Sequence, residues 1–483
     1  MTAPAAAFPT PPAPSGAGAG RRVPTRRNSE LLLILFAGVL IVVFTAGVHA
    51  ALLQEIGESA VVMPALFIAV MILAHSVVRF FAPYADPAIL PCVAMLNGLG
   101  MVFIARLDLG DADPKERPAL AMFGDFGFRQ LLWTLVAVLA FMVVLILLRD
   151  HRSLSRYAYT LAFAGLVLVL LPAVLPASIS DPGNTGAKLW IKIPFLGQIQ
   201  PSEFAKLLLM VFFAYYLVRK REVLSLASKR VLGIDFPRPR DLGPVLVVWG
   251  ASLLVLVGSK DLGTSLMYFG CFIAMMYIAT ERTSWLLIGL GLFMAGAMLA
   301  YVLFGVIQTR VAIWLDPFSD PDGKGFQPIQ ALFALGTGGM FGTGPGAGSA
   351  ETIPVGHSDY IAAGLGEETG LFGLTALLVL YLVIAERGIR TALLVRDSFG
   401  KLLAAGLAFS LALQVFVIVG GVSKLIPLTG LTTPFLSYGG SSLVANWILA
   451  ALLLRISDAA RRPAVPPPPT GKLAAAQTEV VRL

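Results

Sequence analysis

Long apolar runs alternate with short polar breaks along nearly the whole chain, in units that suit a bilayer better than a soluble core. Twelve runs stand out, at 31–50, 61–80, 88–106, 129–148, 156–176, 203–218, 243–258, 262–280, 284–306, 360–384, 401–421 and 440–456. A hydrocarbon layer about 30 Å thick takes about 20 helical residues to cross, and each run is long enough or nearly so. Only a helix satisfies its own backbone in lipid, so the pattern predicts an all-α polytopic membrane protein of about twelve helices. The breaks are unequal. Most are short, but 107–128, 177–202 and above all 307–359 are long, and long ordered loops usually carry function.

Composition agrees with a membrane solvent. Of 483 residues, 57% are hydrophobic and 13% charged, with a mean hydropathy of +0.82, more apolar surface than a soluble fold of this size can hide. Residues 1–28 and 459–483 are Pro/Ala-rich tails expected to be disordered. The first apolar run reads as an uncleaved helix, since a signal peptide would start nearer the terminus. With a cytoplasmic N-terminus, 25 of the 36 lysines and arginines fall on inner segments and 11 on outer ones. Twelve spans then return the C-terminus to the cytoplasm. The net charge of +8 therefore expresses topology and attraction to anionic lipid, and nucleic-acid binding has no support. Cys92 and Cys271 lie within apolar runs and have neither metal-ligand nor disulfide spacing.

Several polar groups break the apolar pattern. In "QPSEFAK" (200–206), Pro201 and Ser202 suit a helix start, and Glu203 and Lys206 share one face three residues apart. They read either as a structural ion pair or as the lining of a polar cavity, with Lys206 open to a phosphate. In "SKDLGTSL" (259–266), Lys260 and Asp261 separate two spans with almost no loop, and Asp261 suits a helix cap. The run 336–348 has seven glycines in thirteen residues but lacks the Lys-Ser/Thr ending of a phosphate loop. It is either a flexible connector or a backbone that approaches a partner closely. "LTGLTTPFLSYGGSS" (428–442) offers Ser437, Ser441 and Ser442 with no local histidine, against serine-hydrolase chemistry.

The stretch "IPVGHSDYIAAGLGEETG" (353–370) sets His357, Asp359, Glu367 and Glu368 at the threshold of an apolar helix. Intramembrane carboxylates usually face a bundle interior or water and mark function. Eight residues of helix rotate Glu367 by about 80° from Asp359, so both can face one cavity. A carboxylate at an apolar boundary has a raised pKa, which suits a general base. The alternatives are a helix cap with a buried pair, and a transport site for ions or protons.

"GAKLWIKIPFLGQIQPSEFAK", "KDLGTSL", "WLDPFSDPDGKGFQPIQALFALGTGGMFGTG", "HSDYIAAGLGEETGLFG" and "LTGLTTPFLSYGGSS" follow one another as in the SEDS (RodA/FtsW) family, and the chain resembles that family over residues 88 to 457. The resemblance implies a peptidoglycan glycosyltransferase that polymerises lipid II at the outer face of the bacterial cytoplasmic membrane. It implies Asp359 as the catalytic residue, deprotonating the acceptor's sugar 4-hydroxyl. Glu203, Lys206 and Trp190 match family positions of the polar cavity and loop, and Arg310 matches a basic position suited to pyrophosphate. Lys260, Asp261, His357, Glu367, Ser437 and Ser441 join the expected substrate-binding set. A divalent cation (Mg2+ or Mn2+) would support the departing phosphates, although no metal cage is visible, and no organic cofactor is expected. The implied partners are a class B penicillin-binding protein, which crosslinks the product, and lipid II with its undecaprenyl-pyrophosphate-linked glycan.

The chain departs from the family pattern at Leu189-Trp190, at Lys260-Asp261-Leu262-Gly263 and at Pro354-Val355-Gly356-His357-Ser358-Asp359-Tyr360, where a glutamate is missing. The expected organisation is a two-helix N-terminal module (29–85) before a ten-helix core (86–458). A lipid II flippase and a non-catalytic cell-wall scaffold remain the competing readings. The short C-terminal tail leans toward an elongation role over division.

Overall fold

The computed structural model describes residues 25–56, 59–111, 125–180, 188–193, 197–224, 227–231, 234–237, 242–259 and 261–463. Most of both tails, much of the segments 107–128 and 177–202, and Lys260 lie outside the described residues. In chain order the helices are α1 (Arg27–Leu52), α2 (Ser59–Phe81), α3 (Ile89–Asp111), α4 (Asp125–Leu147), α5 (Ala158–Val174), α6 (Pro201–Leu224), α7 (Gly243–Ser259), α8 (Leu262–Thr280) and α9 (Thr283–Leu303). They continue as α10 (Gly305–Leu315), α11 (Phe326–Gly338), α12 (Ile361–Leu394), α13 (Ser398–Val422) and α14 (Gly440–Arg461).

Among the described residues, eleven helices are long and apolar enough to cross a membrane, counting α5 together with the 3-10 helix that leads into it (His151–Val174), making this a multi-pass membrane protein. The run at 243–258 forms α7, whose 17 residues reach about 25 Å, short of a full hydrocarbon layer. Two antiparallel hairpins depart from the all-helical expectation, β1 (Ile191–Ile193) with β2 (Gly197–Ile199) and β3 (Ala227–Val231) with β4 (Ile234–Pro237). Both lie in segments too polar to be helical spans.

The bundle has a centre and a rim. In the apolar windows of α3 and α14, 83% of residues are buried, against 17% in α9. α12 packs on α13, α14 on α4, α5 on α6, and α8 on both α6 and α13. α1 and α2 pack on α3 and α4 and add Ile34, Ile41 and Phe67 to the same continuous core. Gly98 of α3 admits Ile41, since a Cβ there would stand 2.1 Å from Ile41 Cδ1.

The long segment 307–359 is largely folded rather than open. α10 turns off α9 at Phe304 and is tied to the α13–α14 connection by Trp314, whose Nε1 donates to the Lys424 carbonyl at 3.0 Å. α11 packs on α12. Between α11 and α12, the glycine run takes the close-approach role. α12 breaks at Gly370 (φ +68), and the freed backbone groups pair with the run: Thr343 N–H with the Glu367 carbonyl at 2.9 Å, Gly344 N–H with the Glu368 carbonyl at 3.0 Å, and Leu371 N–H with the Gly339 carbonyl at 2.9 Å. Gly342 (φ +83) has no alternative, because its Cβ would lie 2.2 Å from the Glu368 carbonyl oxygen. Non-helical backbone at this depth persists only because protein covers it.

Candidate functional site

Asp359 sits immediately before α12, half-buried in a non-helical turn. The Ser358 hydroxyl donates to its Oδ1 at 3.0 Å. That turn is held from α14's leading segment: Ser437 Oγ donates to the Ser358 carbonyl at 2.7 Å, and Tyr438 N–H to the His357 carbonyl at 2.8 Å. Thr433 N–H in turn donates to Ser437 Oγ at 2.9 Å. The His357 ring stacks on Phe126 with centroids 4.6 Å apart and meets Tyr438 edge-on at 5.5 Å. Burial lowers the pKa of His357, keeping it neutral near pH 7.

Arg310 arrives from α10 and donates to the Thr429 carbonyl at 3.2 Å. Its Nη2 and the Oδ2 of Asp359 each lie 3.8 Å from the point where a side chain on Gly430 (φ +76) would begin. The guanidinium and the carboxylate thus flank one gap that a glycine keeps open. Burial pushes the Asp359 carboxyl above the usual carboxylate range, while Ser358 and Arg310 pull it partly back. Arg310 acts in the same sense on Asp261, whose carboxyl burial also raises, so the arginine faces both acids. Asp261 serves as the helix cap its spacing suggested, accepting Thr264 N–H at 2.9 Å.

Beside Arg310 a cleft of about 120 Å³ runs between α10, α11 and the α13–α14 connection, lined among others by Lys324, Lys424, Trp314 and Tyr360. Among the described residues, none of Arg310, Lys324 and Lys424 is in an ion pair with a carboxylate. Three cations facing one space favour an anion there. Lys324 and Lys424 were not singled out in the sequence, because single lysines in loops carry no local signal of convergence.

Glu203 and Lys206 form the predicted i,i+3 pair at 3.0 Å, both nearly fully buried. Lys206 also donates to Gln414 Oε1 at 2.7 Å, and Gln414 Nε2 donates to the Thr432 carbonyl at 2.9 Å. They line a small cavity of about 10 Å³ with Tyr268 and Leu431. The pair therefore ties α6 and α13 to the 428–442 segment beneath the site. Gln414, a lone amide in the apolar run of α13, was the legible clue to this link.

Other expectations need correction. Glu367 does not share Asp359's gap: its Oε1 accepts Ser349 N–H at 3.0 Å, and Asp359 lies in the non-helical turn before α12 starts at Ile361, so helical rotation does not relate the two. Glu368 accepts Gly346 N–H at 3.0 Å and pairs with Arg106, a fully buried residue of α3 that also binds Glu351 and the Gly348 carbonyl. Arg106 was missed, although a single arginine closing an apolar run is a visible sign. Ser437 and Ser441 are buried with their hydroxyls engaged, Ser441 Oγ accepting Gln200 N–H at 3.1 Å, so both shape the site rather than face a substrate. Trp190 lies before β1, its N–H on the Ser180 carbonyl at 3.4 Å, and is not brought to Asp359. Among the described residues no group of three or more His, Cys, Asp or Glu could hold a metal ion. Magnesium is commonly held by substrate phosphates with only one or two carboxylates, an arrangement that needs no such group.

Comparison with known proteins matches these features to one lineage. The profile of the FtsW/RodA/SpoVE cell cycle proteins matches residues 87–462. The peptidoglycan glycosyltransferase RodA of Mycobacterium tuberculosis (strain H37Rv) is 50% identical over 460 residues, covering 95% of this chain and 96% of the relative. That alignment is too long to leave out α1 and α2. The stage V sporulation protein E of Bacillus subtilis is 36% identical, covering 70% and 88% of the two chains. Among solved structures, a chain from a peptidoglycan synthase complex described as coordinating polymerization and crosslinking superposes with a TM-score of 0.60 at 25% identity, covering 78% of this chain and 99% of that one. A Thermus thermophilus RodA crystal structure (TM-score 0.54, 24% identity) shares the fold, covering 78% and 98%. With its ordered motifs, its helical core and a profile match spanning most of its length, the chain belongs to the FtsW/RodA/SpoVE family, the SEDS family.

Proposed function

We propose that this protein is a peptidoglycan glycosyltransferase that polymerises lipid II, with Asp359 as its general base. The carrying observation is the gap at Gly430, where a half-buried carboxylate with a raised pKa and an arginine face the same space. The acceptor's sugar 4-hydroxyl gives its proton to Asp359 Oδ2 as its oxygen bonds to the anomeric carbon of the growing chain. The bond from that carbon to the lipid pyrophosphate breaks, and the pyrophosphate leaves with the electron pair. Arg310, with Lys324 and Lys424 along the adjoining cleft, offsets the charge that grows on the leaving phosphates. His357 and Ser437 keep the Asp359 turn in register, and Glu203, Lys206 and Gln414 support its floor.

The reading extends to a cytoplasmic N- and C-terminus with the Asp359 face outward, from the Lys/Arg asymmetry of the loops. It extends to a role in elongation, from the RodA names of the 50%-identical relatives, and to a separate penicillin-binding transpeptidase as partner, by analogy with the synthase complex. The relatives' names support an enzyme over a flippase or a scaffold.

The test is glycan polymerisation from labelled lipid II by the full chain with its cognate transpeptidase, comparing wild type with Asp359→Ala. Loss by about 10²-fold or more in a folded variant is expected, the usual worth of a general base. Undiminished activity would overturn the assignment.

A further inference from the structure

At the end of the bundle opposite Asp359 lies a cleft of about 540 Å³, walled by the start of α1, the α2–α3 corner and the ends of α12 and α14. Tyr438, which holds the Asp359 turn, stands just before α14, and Arg461 closes that unbroken helix about 30 Å further on, so the two sites lie at opposite ends of the bundle. Four arginines line this second cleft: Arg26, Arg387, Arg390 and Arg461.

The cleft is built rather than a scatter of surface charge. Its base is Asp86, fully buried, whose Oδ1 accepts Ala88 N–H at 2.9 Å and whose own N–H donates to Ser457 Oγ at 2.9 Å. Asp86 draws in Arg461 as an ion pair and Arg387 at 4.0 Å. The same corner is anchored by Tyr84 N–H on Asp458 Oδ1 at 2.9 Å and by Arg455 Nη1 on the Phe81 carbonyl at 2.6 Å. Glu386 pairs with Arg387 at 3.0 Å and Arg390 at 3.6 Å. Two carboxylates against four guanidiniums leave a surplus of two positive charges, with Arg26 and Arg390 at the exposed mouth.

The walls are not polar throughout. Leu394 lines the cleft and is half exposed, and Leu393, its chain neighbour at the end of α12, is an exposed apolar side chain. A ligand matching both features carries a phosphate at one end and a hydrocarbon tail at the other. We propose that this cleft is a headgroup site for an anionic phospholipid, taking the phosphodiester between the arginines while the acyl chains leave past Leu394. Basic pockets between helix ends at a membrane surface are suited to such headgroups. The assignment does not depend on the glycosyltransferase reading.

The test is native mass spectrometry of the full-length protein titrated with phosphatidylglycerol or phosphatidylcholine. Arg26→Gln/Arg390→Gln removes the two exposed charges without touching the Asp86 frame. Lys220→Gln/Arg221→Gln, at the C-terminal end of α6, controls for general surface charge. The expected result is preferential retention of phosphatidylglycerol, weakened about 30-fold in the cleft variant, at about 1 kcal/mol per arginine, and unchanged in the control. Equal retention of both lipids, or equal weakening in both variants, would overturn the proposal. So would displacement of the lipid by sodium phosphate as effectively as by phosphatidylglycerol, which would mark a free-phosphate site.

Discussion

Asp359 has one carboxyl oxygen engaged by Ser358 and the other beside Arg310, and the two neighbours oppose the burial that raises its pKa. The sign of their effect is testable. Both favour the charged form, so removing either raises the pKa further. The acidic limb of the kcat/KM profile should lie above the ordinary carboxylate value of about 4 and move to higher pH in Arg310→Gln and in Ser358→Ala. A limb that stayed put in both variants would mean that it reports another group. Ser358→Ala is the cleaner probe, because it removes one hydrogen bond and no charge.

At the scale of elements, the glycine run and the broken α12 stabilise each other. Gly342→Ala would place a methyl against the Glu368 carbonyl in a left-handed conformation. It should cost more than about 1 kcal/mol and lower the thermal midpoint of the purified protein. Asp397 offers a second probe at the far end of the same helix. It caps α13 through Gly400 N–H at 2.6 Å and accepts His151 Nε2 at 3.0 Å, and these partners hold its pKa below the usual carboxylate range despite burial. A depressed folded-state pKa contributes stability that is present above the unfolded value near 4 and is lost as pH falls through the folded one. Asp397→Ala should cost about 1 kcal/mol through the lost cap, and Asp397→Asn less, with both penalties shrinking at acidic pH. Thermal unfolding of the two variants across pH checks the order.

For the whole molecule, α1 and α2 are part of the packed bundle although the family profile begins at residue 87. Lipid can replace much of an apolar helix face, so the loss on removing them is concentrated at polar and close-packed points. One is Arg27, which pairs with Glu30 and donates to the Ala85 carbonyl at the α2–α3 corner. Another is the seat of Ile41 against Gly98. A chain starting at residue 86 should still insert, with a lower midpoint of thermal unfolding than the full chain in the same detergent. An unchanged midpoint would show that these helices are held independently.

The apolar runs alone dictated the long helices, because a bilayer leaves the backbone no other choice, whereas α10 and α11 inside the long polar segment and the shortness of α7 were not legible in them. The Glu203–Lys206 pair and the Asp261 cap were equally legible, since three-residue spacing and helix starts are local geometry. Distances through space were not. Glu367 went to the glycine run instead of joining Asp359 because α12 begins only at Ile361, so Asp359 sits in a turn to which ideal helical rotation does not apply. Arg106 meets Glu351 and Glu368 from about 250 residues away, and Lys324 and Lys424 reach one cleft from separate loops. Such convergence depends on how the helices pack, so local sequence carried the elements and the candidate base, whereas the charge lining that surrounds them emerged only from the folded bundle.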